Sequence, residues 1–328
     1  LLRSRGDTVE IDHDKIRQTV IGILDLQTQR KLHRQILATL QTREYADPEI
    51  IGSHQLALGE DKQAGESFYA AGLLAEEALA FDRAAHLFSR AIELRGAACS
   101  NLQKAHEHLG DALVNLGKGT DAATAFLKAA ETATPSNALD LRRKAAEQQL
   151  RIGQLEAGMG TLKLVLAGVG EKLAPSSRRA LISLLVRRAL IRLRGLHYRE
   201  RAAKEINPDE LVRLDVFWSV ATALGIIDNI RAMDFQTRHL RLALTLGEPY
   251  RIARALGVEV GFLAVKGTGS TKRRERLMAV AKLAAERVND PFAPAWATLA
   301  AGMAKYVRAQ HLEARLLCEQ AEATFQGC

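Results

Sequence analysis

Apolar residues recur at i, i+3, i+4 and i+7 in almost every stretch from Asp14 onward, which predicts a succession of amphipathic helices. Helix breakers interrupt this pattern at intervals that suit one helix or a helix pair. The breaks lie at Asp47-Pro48, Gly59, Gly96, Gly117-Lys118-Gly119, Pro135, Pro175, Asn207-Pro208, Gly247, Gly267 and Asp290-Pro291. A short alternating segment, 7–12, is the strand candidate. We therefore predict an all-α fold.

Small residues repeat at a fixed spacing and indicate which helical fold this is. Gly110, Ala122, Phe126 and Ala129 hold the positions that small residues and a large apolar residue occupy in a tetratricopeptide repeat. Two antiparallel helices approach closely only where the facing residues are Gly or Ala, so we expect Gly110 to face Ala122. The predicted repeat-packing residues are Gly72, Ala84, Phe88, Ala91, Leu109, Gly110, Ala122, Phe126, Ala129, Gly302, Ala314 and Ala321.

The register of these repeats stays open upstream. Gly52, Ala64, Phe68 and Ala71 also fit the pattern, but they reuse the helix that begins the next unit. Each helix pair buries one face internally and needs a neighbour for the other, so several pairs must stack. We predict a tetratricopeptide-like right-handed helical superhelix, an α-solenoid. Its predicted parts are linker helices in 1–47, repeats in 48–170, and divergent repeats in 171–328 with a basic helix at 176–195.

Composition narrows the class of protein further. Only 5% of the residues are aromatic, which disfavours a β-sandwich because strands favour aromatic and β-branched side chains. The apolar runs fall short of the roughly 20 residues that a membrane span needs. Three cysteines without CxxC spacing fit a reducing compartment, so we expect a cytoplasmic protein. The chain begins without methionine, and we expect it to be a piece of a longer protein.

Positive charge is concentrated in one segment. The formal net charge is +8. The segment from Lys172 to Lys204 contains ten Lys and Arg residues and only one acidic residue, Glu200. On a helical wheel the arginines scatter, while the apolar residues take one broad side. We interpret this segment as a solvated face whose long Arg side chains cover apolar surface. The second interpretation is a binding surface for an acidic partner, and the third is a binding surface for nucleic acid or lipid headgroups. The candidate contacts for an acidic partner are Arg179, Arg187, Arg188 and Arg194.

Catalytic signatures are missing from this sequence. It contains no GxxxxGK[ST], GxGxxG, HExxH or GxSxG motif. The segment 267–272 imitates a phosphate loop, but it joins two predicted helices and does not follow a strand. His13 beside Asp14 is interpreted as a structural pair at a helix start, and Cys318 as a buried packing thiol. We therefore predict no catalytic, cofactor-binding or metal-binding residue and no enzyme activity for this chain.

Several passages resemble a known family. DHDKIRQTV at 12–20 and QRKLHRQI at 29–36 are similar to the passage where the winged-helix end of a bacterial AAA/STAND-type signalling ATPase continues into helical repeats. The basic helix at 177–196 and LDVFWSVA at 214–221 resemble the distal helical region of bacterial serine/threonine protein kinases fused to such an ATPase. The kinase and Walker motifs of that family are absent, so no catalytic residue carries over.

The resemblance implies a parent protein that uses ATP and Mg in upstream domains. We expect this chain to be its protein–protein interaction and regulatory region, contacting a protein partner or the parent's own ATPase and kinase domains. The alternative is an effector- or nucleic-acid-binding helical region of a STAND-type transcriptional regulator. We expect neither nucleic-acid binding nor a membrane span.

Overall fold

Helices make up nearly all of the protein, in agreement with the predicted class. The computed structural model describes residues 2–5, 8–11, 19, 22–43, 46–95, 102–225, 227–265, 271–288 and 292–327. A short antiparallel hairpin precedes the helices, with β1 at Leu2–Arg5 and β2 at Thr8–Ile11. β2 lies within the alternating segment that favoured a strand.

The chain divides into two compact units, Leu1–Thr134 and Pro135–Cys328. The helices of the first unit are α1 Leu26–Gln41, α2 Pro48–Leu58, α3 Asp61–Glu77, α4 Phe81–Arg95, α5 Leu102–Asn115 and α6 Gly119–Thr132. Those of the second are α7 Pro135–Arg151, α8 Leu155–Gly168, α9 Ser177–Arg194, α10 Pro208–Leu224, α11 Asn229–Leu246, α12 Pro249–Val265, α13 Thr271–Glu286, α14 Phe292–Tyr306 and α15 His311–Gln326.

Local sequence signals set several of these helix ends. The side chain of Asp25 accepts hydrogen bonds from the backbone N–H groups of Gln27 and Thr28 at the start of α1. Asp47 caps α2 in the same way, with Pro48 in the first turn, where its missing N–H costs nothing. α2 ends at Gly59, whose φ of 79° is the left-handed conformation that favours glycine. The breakers in the sequence therefore mark real helix boundaries here.

Close helix pairing in the first unit depends on glycine facing phenylalanine. A Cβ on Gly110 would lie 2.5 Å from Cε1 of Phe126, and one on Gly72 would lie 2.6 Å from Cε1 of Phe88. The nearest neighbour of Gly110 is thus the Phe126 ring, whereas the sequence suggested Ala122. The reason is size: the ring reaches across the helix pair, and only a residue without a side chain leaves it room.

The open register upstream has a simple structural basis. A Cβ on Gly52 in α2 would lie 3.1 Å from the Phe68 ring in α3. The same helix α3 carries Gly72, which receives the Phe88 ring of α4. α3 therefore serves as the second helix of one pair and the first helix of the next, so both readings of the repeat apply to it.

The described residues of the second unit form two buried hydrophobic clusters. Leu162, Val165 and Leu166 of α8 pack with Val220 of α10 and Phe235 of α11. α12, α13 and α14 share the other cluster, with Leu214, Leu240 and Leu244 from α10 and α11. The division into units therefore differs from the predicted boundary at 170/171, because α7 and α8 build their core with helices that follow that position.

Candidate interaction surface

Helix α9 packs on α11 and α12 through a mixed face, in which the apolar side chains of Ala180 and Leu184 are buried together with polar contacts. The Ser183 hydroxyl donates a hydrogen bond of 2.7 Å to Oδ1 of Asp234 on α11. Nη1 and Nη2 of Arg188 donate to the two carboxylate oxygens of Glu259 on α12. Arg187 lies 3.9 Å from Oδ1 of the same Asp234. Polar side chains therefore make most of the specific contacts that hold α9 in place.

The opposite side of α9 is apolar and faces solvent. Ile182, Leu185, Val186 and Leu193 are 63%, 54%, 55% and 86% exposed, and Ala189 between them is exposed as well. Their spacing of i, i+3, i+4, i+7 and i+11 places them on one face of the helix. We call these five residues the α9 outer stripe.

This orientation corrects the interpretation of the basic segment as a solvated Arg face over a buried apolar side. Asp234 and Glu259 are buried carboxylates, only 1% and 6% exposed, and a buried carboxylate needs a cation and hydrogen-bond donors. Arg187 and Arg188 supply them, so these two arginines turn inward beside the buried Leu184, and part of the apolar side of α9 is left facing solvent. The sequence signal that could have shown this is the presence of acidic residues within the apolar stretches of α11 and α12.

The four arginines named from the sequence have different surroundings. Arg188 is bound to Glu259, and Arg194 donates to the carbonyl oxygens of His197 and Leu244, so both are structural. Arg179 is exposed beside the α9 outer stripe, together with Arg178 and Arg192, which the sequence analysis did not single out. In the part of the chain that the structure describes, Arg178, Arg179 and Arg192 pair with no carboxylate.

Arg187 lines a cleft of about 280 Å³ together with three further arginines, Arg213, Arg238 and Arg241. Glu171 is its lining carboxylate; it lies 2.5 Å from Arg213 and 2.6 Å from Arg238. Burial and then the positive charge of Arg238 lower the pKa of Arg187, although Asp234 and Glu171 act in the opposite direction. The cleft therefore crowds positive charge beyond what its carboxylates neutralise.

A second polar network is buried beneath Trp218. Asp215 binds Arg251 and Arg254 at 2.6 and 2.5 Å, and the Arg254 guanidinium lies 4.6 Å from the Trp218 ring centre. Burial alone would raise the pKa of Asp215, but hydrogen bonds and charge from Arg251 and Arg254 hold that pKa below its usual value. His239 is fully buried against Trp218. The periodicity gave no sign of this network.

The predicted repeat-packing residues lie mostly in the interior. Leu109 is partly buried. The buried ones are Gly72, Ala84, Phe88, Ala91, Gly110, Ala122, Phe126, Ala129, Gly302, Ala314 and Ala321. A Cβ on Gly302 would lie 2.9 Å from Sγ of Cys318, so this pair repeats the glycine contact with a smaller partner. Cys318 is partly exposed, not buried as predicted, because α15 closes the second unit on one side only.

Two of the features named in the sequence analysis lie wholly or partly outside the described residues. His13 and Asp14 lie outside the described residues, as do Gly267–Ser270 of the imitation phosphate loop. Across the described ranges, no group of three or more His, Cys, Asp or Glu side chains is placed to hold a metal ion. None of the helices built from described residues has both the length and the apolar character needed to cross a bilayer.

No protein-family model matches the sequence, and no curated protein matches it.

Proposed function

We propose that this chain is a protein–protein interaction and regulatory helical-repeat region, itself without catalytic activity, of a multidomain bacterial signalling ATPase or serine/threonine protein kinase. The α9 outer stripe carries the proposal. It combines four large exposed apolar side chains on one face of a helix that buried ion pairs hold in place. Contiguous apolar surface of this kind marks interaction sites on folded proteins.

The energy available at the stripe suits a regulatory contact. Full burial of a Leu, Ile or Val side chain contributes about 1.5–3 kcal/mol, and these four are already part-buried against their own helix. A partner that covers them gains about 1 kcal/mol from each. Such a partner shifts the parent protein between states only as far as it binds one state better than another.

Charge favours an acidic partner over a second copy of this chain. Arg178, Arg179 and Arg192 flank the stripe without carboxylate partners among the described residues. A symmetric dimer through α9 would bring these arginines against their counterparts, and like charges in an interface cost affinity. An amphipathic helix with apolar anchors and acidic edges fits both the stripe and its flanks. The closely packed glycine–phenylalanine helix pairs of the first unit support the same role.

A binding experiment with designed helical peptides tests this proposal. Two fluorescent peptides share one apolar stripe, and their polar positions are Glu in one and Lys in the other. We expect the Glu peptide to bind the chain and the Lys peptide to bind at least about tenfold more weakly. Leu193→Ser should weaken binding of the Glu peptide by about tenfold. Leu164→Ser on α8, whose side chain is 64% exposed, is the matched control and should leave binding unchanged.

Three outcomes contradict the proposal. Equal binding of both peptides, or binding insensitive to Leu193→Ser, removes the stripe as the site. Binding to phosphatidylserine vesicles that Leu193→Ser abolishes, with no binding of the Glu peptide, makes α9 a membrane-surface helix. Concentration-dependent dimerisation in sedimentation that Leu193→Ser abolishes makes the stripe a self-association surface.

The arginine cleft favours a second candidate, the effector- or nucleic-acid-binding region of a STAND-type regulator. If the chain binds nucleic acid through several phosphate contacts, the logarithm of its binding constant should fall steeply and linearly with the logarithm of the salt concentration. Titration with duplex DNA at several salt concentrations separates the two candidates. Tight, sequence-selective binding at physiological salt would favour the regulator over the interaction region.

A further inference from the structure

The cleft beneath α9 holds cationic groups that its own carboxylates leave incompletely paired. Glu171 is shared between Arg213 and Arg238, and Arg238 also binds Asp234 at 2.8 Å. Arg187 approaches Asp234 only to 3.9 Å. Arg241 is exposed and pairs with no carboxylate in the ranges that the structure describes. Two guanidinium groups of the cleft are therefore available to an external anion.

Arg213, which also lines the cleft, carries an unsatisfied donor. Its Nε is buried and donates to no acceptor among the described residues, although its terminal nitrogens reach Glu171 and, at 3.6 Å, Glu210. A buried N–H without an acceptor loses its hydration without compensation. The Phe217 ring, 5.5 Å from the Arg213 guanidinium carbon, also lines this cleft and limits where that side chain can move.

These donors match the chemistry of a phosphate group. Guanidinium groups present a planar fork of N–H donors suited to oxyanions. Phosphate on an ester carries about −1.5 to −2 charge near pH 7 and three acceptor oxygens, whereas a carboxylate has one charge and two oxygens. Arg187, Arg213 and Arg241 line the same cleft, so their guanidinium groups can approach one oxyanion from different sides.

We propose that the cleft between α9, α10 and α11 binds the phosphate group of a phosphate monoester through Arg187, Arg213 and Arg241, with Arg238 holding Glu171 aside. The site goes beyond the proposed protein-binding function and does not depend on it. Arg187 lies on the inner side of α9, while the outer stripe lies on the other. A ligand in the cleft touches α9 and α11 at once and so fixes the helix that carries the stripe.

Calorimetric titration of the full chain tests the proposal. The probes are inorganic phosphate, O-phosphoserine, a phosphoserine peptide, and the same peptide with glutamate in place of phosphoserine. We expect the phosphate-bearing probes to bind and the glutamate peptide to bind at least about tenfold more weakly. A phosphopeptide that binds more tightly than O-phosphoserine identifies a protein as the phosphate source. Equal binding of the two identifies a small phosphorylated ligand.

Two variants locate the site. Arg241→Gln changes an exposed residue without an ion pair, so the fold should survive and phosphate affinity should fall about tenfold. Arg187→Gln should act in the same direction. Arg142→Gln changes an exposed arginine of α7 that pairs with no carboxylate among the described residues. It removes the same charge from the same unit and is the matched control, so it should leave phosphate affinity within about twofold.

Three results overturn the proposal. One is the absence of phosphate binding at millimolar concentration, and another is binding that Arg241→Gln and Arg187→Gln leave unchanged. The third is an equal loss of affinity in Arg142→Gln, which would show general charge attraction and not a site. The peptide experiment on the α9 outer stripe uses a probe without phosphate and a variant outside the cleft, so either proposal can fail while the other stands.

Discussion

The ring of Phe126 lies where a side chain on Gly110 would project, with Cε1 2.5 Å from the ideal Cβ position. Gly72 and Phe88 stand in the same relationship at the same spacing along the chain. Real Cβ atoms essentially never come that close to a neighbour, so one methyl group is enough to force helices α5 and α6 apart or to rotate the ring. The pair therefore sets how closely these two helices pack.

Gly110→Ala should destabilise the first unit by about 1–3 kcal/mol, the usual cost of overpacking a core. The gain in helix propensity on removing a helical glycine is at most about 1 kcal/mol, so packing decides the sign. Urea unfolding followed by circular dichroism measures the change. Ala122→Leu should also destabilise, because Ala122 is completely buried in the same helix pair.

Matched controls separate packing from propensity. Gly160 lies in helix α8, and a Cβ there would meet open space, so Gly160→Ala should stabilise by about 0.5–1 kcal/mol. Lys118→Ala in the turn before α6 should stay within about 0.5 kcal/mol. Adding Phe126→Leu to Gly110→Ala should recover part of the loss. A neutral or stabilising Gly110→Ala would mean that the helices are not paired through this contact.

The positions of these glycines were readable from the sequence because the repeat imposes a fixed spacing. Gly72, Gly110 and Phe126 occupy positions of the repeat, and such positions can be identified from the sequence without knowledge of tertiary contacts. Which residue each glycine faces was not readable, since the spacing gives Gly110 both Ala122 and Phe126 as neighbours across the turn. The size of the ring, and not the period, decides between them.

Removal of the Asp215 carboxylate should destabilise the second unit strongly. Asp215→Ala leaves Arg251 and Arg254 part-buried without their shared partner, and breaking a buried ion pair costs about 3–5 kcal/mol. About 3 kcal/mol is expected here because the Asp215 side chain keeps 19% exposure. Chemical unfolding at pH 7 of Asp215→Ala, with Glu319→Ala as its control, measures the effect. Glu319→Ala breaks an exposed pair with Arg315 and should leave stability nearly unchanged. A loss as large as that of Asp215→Ala would contradict the role assigned to Asp215.

Stability of the second unit should fall as the pH drops below about 6.5, the ordinary pKa of histidine. Burial, followed by the charge of Arg254, holds the pKa of His239 well below that value, and its Nε2 has no hydrogen-bond acceptor among the described residues. The unfolded chain therefore takes up this proton first. The stability that comes from a neutral His239 is complete above the pKa of this histidine in the unfolded chain. It declines toward acid pH by at most about 1.4 kcal/mol per pH unit.

The variant His239→Phe keeps a ring against Trp218 and removes the titrating group. Urea unfolding at pH 7, 6 and 5 should show a shallower decline for this variant than for the unaltered chain. His197→Phe changes an exposed histidine and should keep the original decline. Parallel curves for His239→Phe and the unaltered protein would show that His239 does not carry the pH dependence.

The orientation of α9 shows where sequence periodicity fails in physical terms. Its apolar residues form a face that looks like a core face, and nothing in 177–194 alone distinguishes inside from outside. The orientation depends on Asp234 and Glu259, far along the chain, because these buried carboxylates draw Arg187 and Arg188 to the inner side beside the buried Leu184. A candidate site that depends on partners from three helices cannot be derived from one of them.

A histidine pair joins α1 to the rest of the first unit and should make its docking sensitive to acid. Nδ1 of His33 and Nδ1 of His54 lie 2.7 Å apart, so one must donate and the other accept. Burial, followed by the charge of His33, lowers the pKa of His54. The stability that depends on a neutral His54 is therefore complete above about pH 6.5 and declines as the pH falls, because the unfolded chain takes up the proton first.

Hydrogen exchange of the α1 amides, corrected for the intrinsic rate, measures this docking at pH 7 and pH 5. We expect protection in α1 to fall at pH 5 more than protection in α3, because Leu37 is the one buried residue among those described in α1 and gives it little other anchorage. His54→Gln should remove most of the difference between the two pH values, since a glutamine side chain does not titrate. Unchanged α1 protection at pH 5, or an equal loss in His54→Gln, would place the acid-sensitive contact elsewhere.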